Sequence, residues 1–412
     1  MPSQFAWLDY SELERRKALD VVGLFKDKGT VDELGIGTVR DALADYLFPG
    51  ISTIQTRAKY FLFIPWIHQA LERDKISSRD APRIARNREV DLIDGLLNSE
   101  DHEGVIGRES RGKLQRLPSE IYWVGLQVLG MRRYRGSRTH YYRSLDEFYK
   151  KHNQRRIHSD DGIDEVLTHD SRWHDSLPMR PDDFPQKVDL GLSRNEAEYL
   201  QQQILAQTPG SMLAHTVSHS PWEATDYPWL HPSVETIEGK LSIVLNDARN
   251  FSLVMHGAAL LYNLLMAEKQ DESIGPSERG VRSARYCESF DEWVGRLEAR
   301  RQELLEWAAD LAVFWQSIHE INPRVHAFTR QFISDWIELA LRPGPAKLKN
   351  DVVAHELIRK REKRLKGSRA RLTNSRALEL WGGESGTGRL NFRWSQAQTI
   401  ITDILSGLER NA

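Results

Sequence analysis

Cysteine is almost missing from this 412-residue chain, where Cys287 stands alone. A single thiol excludes an internal disulfide and any multi-cysteine zinc or iron–sulfur site, and Cys287 is assigned no role. Long apolar runs are missing as well. The longest, Tyr60 to Ile67 (YFLFIPWI), is interrupted by Pro65 and falls far short of the roughly 20 residues that span a bilayer, so no transmembrane helix is expected. The first residues, Met1 to Trp7, lack a basic region followed by an apolar segment, so no secretory signal is expected and the chain reads as cytoplasmic. Repeats at solenoid spacing and low-complexity tracts do not occur. Neither does His-Glu-x-x-His or Gly-Lys-Ser/Thr, which removes the commonest signatures of a zinc hydrolase and a nucleotide hydrolase.

What is present is globular in balance, with 40% apolar and 28% charged residues. The length exceeds what one core usually organises, so two or three domains are expected. The net charge of −2 conceals a division along the chain. Residues 104–156 carry 13 Lys and Arg against 4 Asp and Glu, residues 160–240 carry 5 against 15, and residues 342–412 carry 15 against 7. Two readings stay open at this point: a positive surface for phosphates built from the two basic segments, or an acidic middle that neutralises basic ends internally.

Helical periodicity dominates and alternating strands are scarce. Ser11 and Glu14 form a capping-box pattern ahead of a stripe of Leu13, Ala18, Val21, Val22 and Phe25. Further helices fit Thr38–Leu47, Ile54–Ala70 (with a kink at Pro65), Pro82–Leu97, Ser119–Leu129, Ser144–His152, Arg194–Ala206, Asp247–Glu268, Phe290–Ile318, Arg324–Leu341 and Asp351–Leu365. Leu297, Leu304 and Leu311 recur every seven residues, which predicts a coiled-coil-like helix hairpin turning at Asn322-Pro323. Its aromatic residues, Trp293, Trp307, Trp315, Trp336, Phe314, Phe328 and Phe332, read as core packing. The expected architecture is a mainly α, multi-domain protein. It divides into an N-terminal helical domain (1–157), a polar, Asp- and Pro-rich linker (158–185), a central acidic, aromatic-rich helical domain (186–341) and a basic C-terminal module (342–412).

That module holds the densest charge. Nine of the eighteen residues from Arg359 to Arg376 are Lys or Arg, opposed only by Glu362, and a glycine-rich stretch from Trp381 to Gly388 follows. Alternation in Arg389-Leu-Asn-Phe-Arg-Trp394 predicts a short strand with Arg389, Asn391 and Arg393 on one face, giving a β-hairpin or wing. Arg364, Lys366, Arg369, Arg371, Arg376, Arg389 and Arg393 are therefore candidate phosphate ligands. Arg108, Arg111, Lys113 and Arg116, just ahead of the expected helix cap Ser119, extend the set, since free backbone donors there also suit an anion. Seven bound phosphates would give log K against log salt a slope of roughly −6 on duplex DNA.

Weaker patterns stand beside these. Thr38–Leu47 and Ser52–Tyr60 have the spacing of a helix-turn-helix, with Thr53, Gln55, Thr56, Arg57 and Lys59 opening its second helix. His215 and His219, with His231 as a third ligand, have metal-site spacing but no acidic residue between them. Asp226, Glu238 and Lys240 follow the residue order of a metal-dependent nuclease without the strands that chemistry requires. The Gly104–Lys113 stretch resembles a phosphate loop only superficially. No cofactor or metal is expected.

Trp7-Leu-Asp-Tyr-Ser11, Leu34-Gly-Ile-Gly-Thr38, Ser52-Thr-Ile-Gln-Thr-Arg57 with Tyr60-Phe-Leu-Phe63, Gly104-Val-Ile-Gly107, Leu117-Pro-Ser-Glu-Ile-Tyr-Trp123 and Arg369-Ala-Arg371-Leu-Thr-Asn374 together resemble the bacterial family of unknown function DUF6361. The likeness covers most of the chain and carries no catalytic residue. It implies an association with antiviral-defence gene clusters that contain helicases and phospholipase-D-like nucleases, hence an accessory or recognition subunit beside separate catalytic chains. The expectation is a non-catalytic nucleic-acid-binding protein, DNA being the favoured ligand. A scaffold docking a helicase or nuclease partner is the first alternative, and a cryptic nuclease the second.

Overall fold

The computed structural model describes residues 32–151, 171–219, 222–272 and 280–410. It is mainly helical, and no strand occurs among the described residues; the one β-type pairing there is an isolated bridge between Arg132 and Trp173. The expected Ser11 helix lies outside them. The chain folds into two units, each assembled from distant segments. One unit holds the described part of Met1–Leu43 with Asn246–Leu390, and the other holds Ala44–Leu245 with Asn391–Ala412. This grouping cuts across the sequential blocks read from composition.

In the second unit the Tyr60–Arg73 helix is buried from Tyr60 to Leu71 except at Gln69, as befits a segment apolar on every side. It packs on Ala81–Leu97 and Pro118–Val128, with the Tyr122 ring edge-on to Phe61 at 4.9 Å. The Tyr122 hydroxyl donates to the Arg57 carbonyl (2.9 Å) and accepts from the Thr56 and Arg57 amides. Those bonds hold residues 51–59 as turns, so the helix starts at Tyr60 rather than Ile54 and no helix-turn-helix forms. Gln55 and Lys59 are buried there, not displayed. The Arg194–Gln207 helix opens with a complete capping box from Ser193 and Glu196. Against it lies the C-terminal helix, Trp394–Glu409, approaching so closely that a Cβ on Gly407 would sit 2.7 Å from that of Ala197.

Residues 171–185, expected to be part of a linker, are built into the same unit. Trp173 is fully buried among Trp123, Tyr141 and His68, and the Phe184 ring stacks on Phe63 at 5.8 Å. Polar composition around these two anchors concealed them.

The first unit is organised on the long helix Gly239–Asp271, whose residues from Asn246 onward belong to it. By length and composition this helix could cross a membrane, yet 89% of its most apolar window is buried within the protein. The indoles of Trp293 and Trp336 donate to its Leu253 and Val254 carbonyls (2.8 and 2.9 Å). Gly257 makes room for the first of them, since a Cβ there would lie 2.2 Å from the Trp293 ring. The segment expected as one helix, Phe290–Ile318, is three: Val281–Glu298, Arg301–Ala309 and Leu311–Ile321. The breaks fall at Arg300 and at Asp310 (φ −120°, ψ 50°), so the heptad of leucines does not run as a continuous seam. Leu297 and Leu304 are still buried.

The glycine-rich stretch is a loop fastened to the long helix, not a wing. Asn263 donates to the Ser385 carbonyl and accepts from its amide (2.8 and 2.9 Å), Ser252 donates to the Leu390 carbonyl (2.7 Å), and Tyr286 donates to that of Gly383 (2.6 Å). Phe392 and Arg393 take positive φ (54° and 70°), which breaks any extended run, and the helix begins at Trp394.

Candidate nucleic-acid interface

The basic loop of the second unit is fixed at its root and open at its tip. Thr56 Oγ1 donates to the Gly104 carbonyl (2.6 Å) and the Ile106 amide to the Tyr60 hydroxyl (2.9 Å), while Val105 and Ile106 are buried. Beyond Gly107 the chain turns outward, and Arg86 braces it from below by donating to the Gly112 and Leu114 carbonyls, both at 2.9 Å. Arg108, Arg111, Lys113 and Arg116 are all exposed. Among the described residues none of the four is ion-paired.

The helix that follows does not offer its N-terminus to an anion. Leu117 is its N-cap and Pro118 its first residue, and the Ser119 amide and hydroxyl already donate to Glu89 (2.8 and 2.7 Å). Glu89 is fully buried, and burial pushes its carboxyl up to about 7 even though the Ser119 bonds and Arg138, 4.0 Å away, oppose that shift. A buried carboxyl group therefore occupies the place where Ser119 suggested a phosphate.

The C-terminal basic run of the first unit is sorted by the helix Val352–Lys366, capped by Asp351, whose side chain accepts from Val353 and Ala354. Arg361 faces inward and donates to the Leu34, Gly35 and Phe328 carbonyls and to Thr329 Oγ1. Lys366 and Arg371 converge on Glu33, Lys366 by a short ion pair and Arg371 at 2.9 Å. Burial alone would raise the Glu33 carboxyl, but Lys366 and Arg371 outweigh it and hold it below the ordinary carboxylate value. Beside them Glu362, fully buried, accepts from the Tyr262 hydroxyl (2.5 Å) and from the Arg371 and Leu372 amides (both 2.9 Å). Arg389 is half-buried, and its charge, with that of Arg296, adds to burial in lowering His256 to about 4. In the second unit Arg393 donates to Asp45 (2.5 Å) and to the Ile51 carbonyl (2.8 Å).

Of the eleven candidate cations, then, Arg108, Arg111, Lys113, Arg116, Arg364, Arg369 and Arg376 are exposed, whereas Lys366, Arg371 and Arg393 are tied to carboxylates of their own unit. Lys366 also pairs with Glu362 (3.3 Å), a contact signalled in the sequence by its i, i+4 spacing, whereas its pairing with Glu33 has no such signal. Lys363, exposed on the same helix, joins the exposed set although charge density alone does not single it out within the basic run. Arg364 lies over the ring of Phe328, 3.1 Å from its centroid.

The other patterns come apart. The His215 and His219 rings lie 4.1 Å apart, tilted by 36°, but His215 Nε2 bonds the Ser233 carbonyl (2.8 Å) and His231 Nδ1 bonds Ser233 Oγ (2.7 Å). Among the described residues no group of three His, Cys, Asp or Glu side chains could hold a metal. An open cleft of about 780 Å³ in the second unit, lined by Lys59, Pro178, Met179, Ser193, Tyr199 and Arg410 among others, has no sequence signal because Pro178 and Met179 read as linker.

A family model described as "Family of unknown function (DUF6361)" matches residues 2–406. The chain belongs to this family. No curated protein and no solved structure matches the chain. Membership in DUF6361 brings no assigned activity.

Proposed function

We propose that this DUF6361 protein is a non-catalytic nucleic-acid-binding accessory protein, working beside separate catalytic chains such as a helicase or nuclease of a bacterial defence system. The observation that carries the reading is the braced loop of the second unit, where four exposed cations, with Glu109 the one acidic residue among them, make no ion pair among the described residues. Proteins normally intersperse surface charges of both signs, and a net-positive cluster of four cations against one carboxylate on a braced loop suits a polyanion. Phosphate oxygens match Arg and Lys donors without requiring a concave pocket, and such bonds to the nucleic-acid backbone supply most of the affinity of non-specific binding. In the first unit Lys363, Arg364, Arg369 and Arg376 form a second set of exposed donors. Lys366, Arg371 and Arg393 are given structural work instead.

The test is a binding titration of the full chain against labelled single- and double-stranded DNA and RNA. A variant with Arg108, Arg111, Lys113 and Arg116 replaced by Gln is measured in parallel. The expected result is binding that weakens at least tenfold in the variant with thermal stability unchanged. Equal affinity of variant and parent, or no binding by the parent, would remove the loop from the account.

A further inference from the structure

The aromatic residues of the 290–341 region are expected inside the core, and Trp293, Trp336 and Phe332 are. Phe328 is not: 48% of it is exposed, on the first turn of the helix Ala327–Ala340. The preceding His326 caps that helix, its Nδ1 accepting from the Phe328 amide at 3.3 Å. Its imidazole lies nearly parallel to the Phe328 ring, 16° apart with centroids at 5.2 Å. The Arg364 guanidinium sits 3.1 Å from the ring centroid. Three planar groups thus form a short column at the surface of the first unit, and His326 and Arg364 are themselves exposed.

The column is held from beneath. Buried Arg361 donates to the Phe328 carbonyl (3.2 Å) and to Thr329 Oγ1 (2.9 Å) while also binding the Leu34 and Gly35 carbonyls, which locks the first turn of this helix to the Val352–Lys366 helix. A guanidinium shielding a stray aromatic would account for Arg364 alone. It does not account for a ring half in water, an imidazole stacked parallel to it, a buried arginine fixing its backbone, and exposed Arg324 and Lys363 on the flanking segments. Aromatic and guanidinium planes beside cations are how proteins hold unpaired bases: the planes stack on the base and the cations take the backbone.

We infer that the exposed outer planes of this column, the His326 imidazole and the Arg364 guanidinium held in place by Phe328 between them, form a stacking platform for an unpaired nucleobase, which makes single-stranded nucleic acid the preferred ligand of the first unit. This rests on the nucleic-acid reading above and adds the strand type. A base in a duplex cannot reach such a platform, because both its faces are already stacked.

The experiment uses the full chain with a single-stranded oligonucleotide containing 2-aminopurine, whose fluorescence falls on stacking, and with the corresponding duplex. Parent, Phe328→Leu and Phe328→Trp are compared, with thermal melts to establish folding. Expected are quenching on binding of the parent, its loss in Phe328→Leu with single-strand affinity lower by roughly 5- to 150-fold, unchanged duplex affinity, and recovery in Phe328→Trp. Unaltered single-strand binding by Phe328→Leu, or an equal loss on both ligands, overturns the platform while leaving phosphate binding in place. Failure of the parent to bind any nucleic acid overturns both.

Discussion

Glu89 is kept in a fully buried site with its proton held up to about 7, against an ordinary 4.5. The folded state therefore binds that proton more tightly than the unfolded chain. Its contribution is fully present below pH 4.5 and is lost as pH rises through 7, by up to about 3 kcal/mol. His68 has the opposite sign. Its ring is enclosed and burial lowers it to about 3, so stability is lost as pH falls from 6.5 toward 3. Asp247, pushed up to about 6 by burial, adds to the Glu89 effect only below that value. Glu89→Gln should flatten the fall in stability between pH 6 and 7, measured by denaturant melts across pH; an unchanged slope there would assign it to another group. Glu33→Ala makes a second residue-level case. It removes the carboxylate shared by Lys366 and Arg371, which keep Glu362 and Ser385 as other partners, and should cost about 1 to 3 kcal/mol while leaving nucleic-acid affinity as it was. A drop in affinity without a drop in melting temperature would move those two cations back into the binding surface. Nothing at Arg371 itself announces this role, because its partner lies 338 residues away along the chain.

Elements are legible where local physics decides them. The Arg194–Gln207 helix is visible in Ser193 and Glu196, and Val352–Lys366 in Asp351 and the periodicity behind it, because caps and apolar stripes act within a turn or two. Tertiary context overrides the same signals elsewhere. Ser52 and Thr53 look like caps, but the Tyr122 hydroxyl claims the Thr56 and Arg57 amides and delays the helix to Tyr60. The alternation of Arg389 to Trp394 reads as a strand, yet no neighbouring strand exists to pair with it among the described residues. Its Leu390 carbonyl and that of Ser385 before it are bound by the long helix through Ser252 and Asn263. Asn263→Ala should therefore leave buried polar groups of Ser385 unpaired and cost about 1 to 3 kcal/mol, seen as a lower denaturation midpoint. Full stability in that variant would mean the loop is not fastened in this way.

Across the whole molecule, composition marks charged blocks, but the fold brings together residues that composition separates. Each unit takes in an early and a late stretch of chain, and no local pattern encodes such a return. A fragment ending at residue 341 follows the expected domain boundary, yet it removes Arg361, Lys366 and Arg371 from Leu34 and Glu33, and Glu362 from Tyr262. It should fail to unfold cooperatively and should bind a hydrophobic dye; a sharp, reversible melt of that fragment would restore the sequential partition. The candidate interface is legible as charge density and not as a surface, since Arg108, Arg111, Lys113 and Arg116 lie in a loop whose support comes from Arg86, Thr56 and Tyr60. The most direct test of the account is the slope of log K against log salt for the full chain on duplex DNA, with and without those four cations. Replacing all four by Gln should make the slope shallower by about 3 to 4, whereas identical slopes would contradict the assignment of the loop to phosphates.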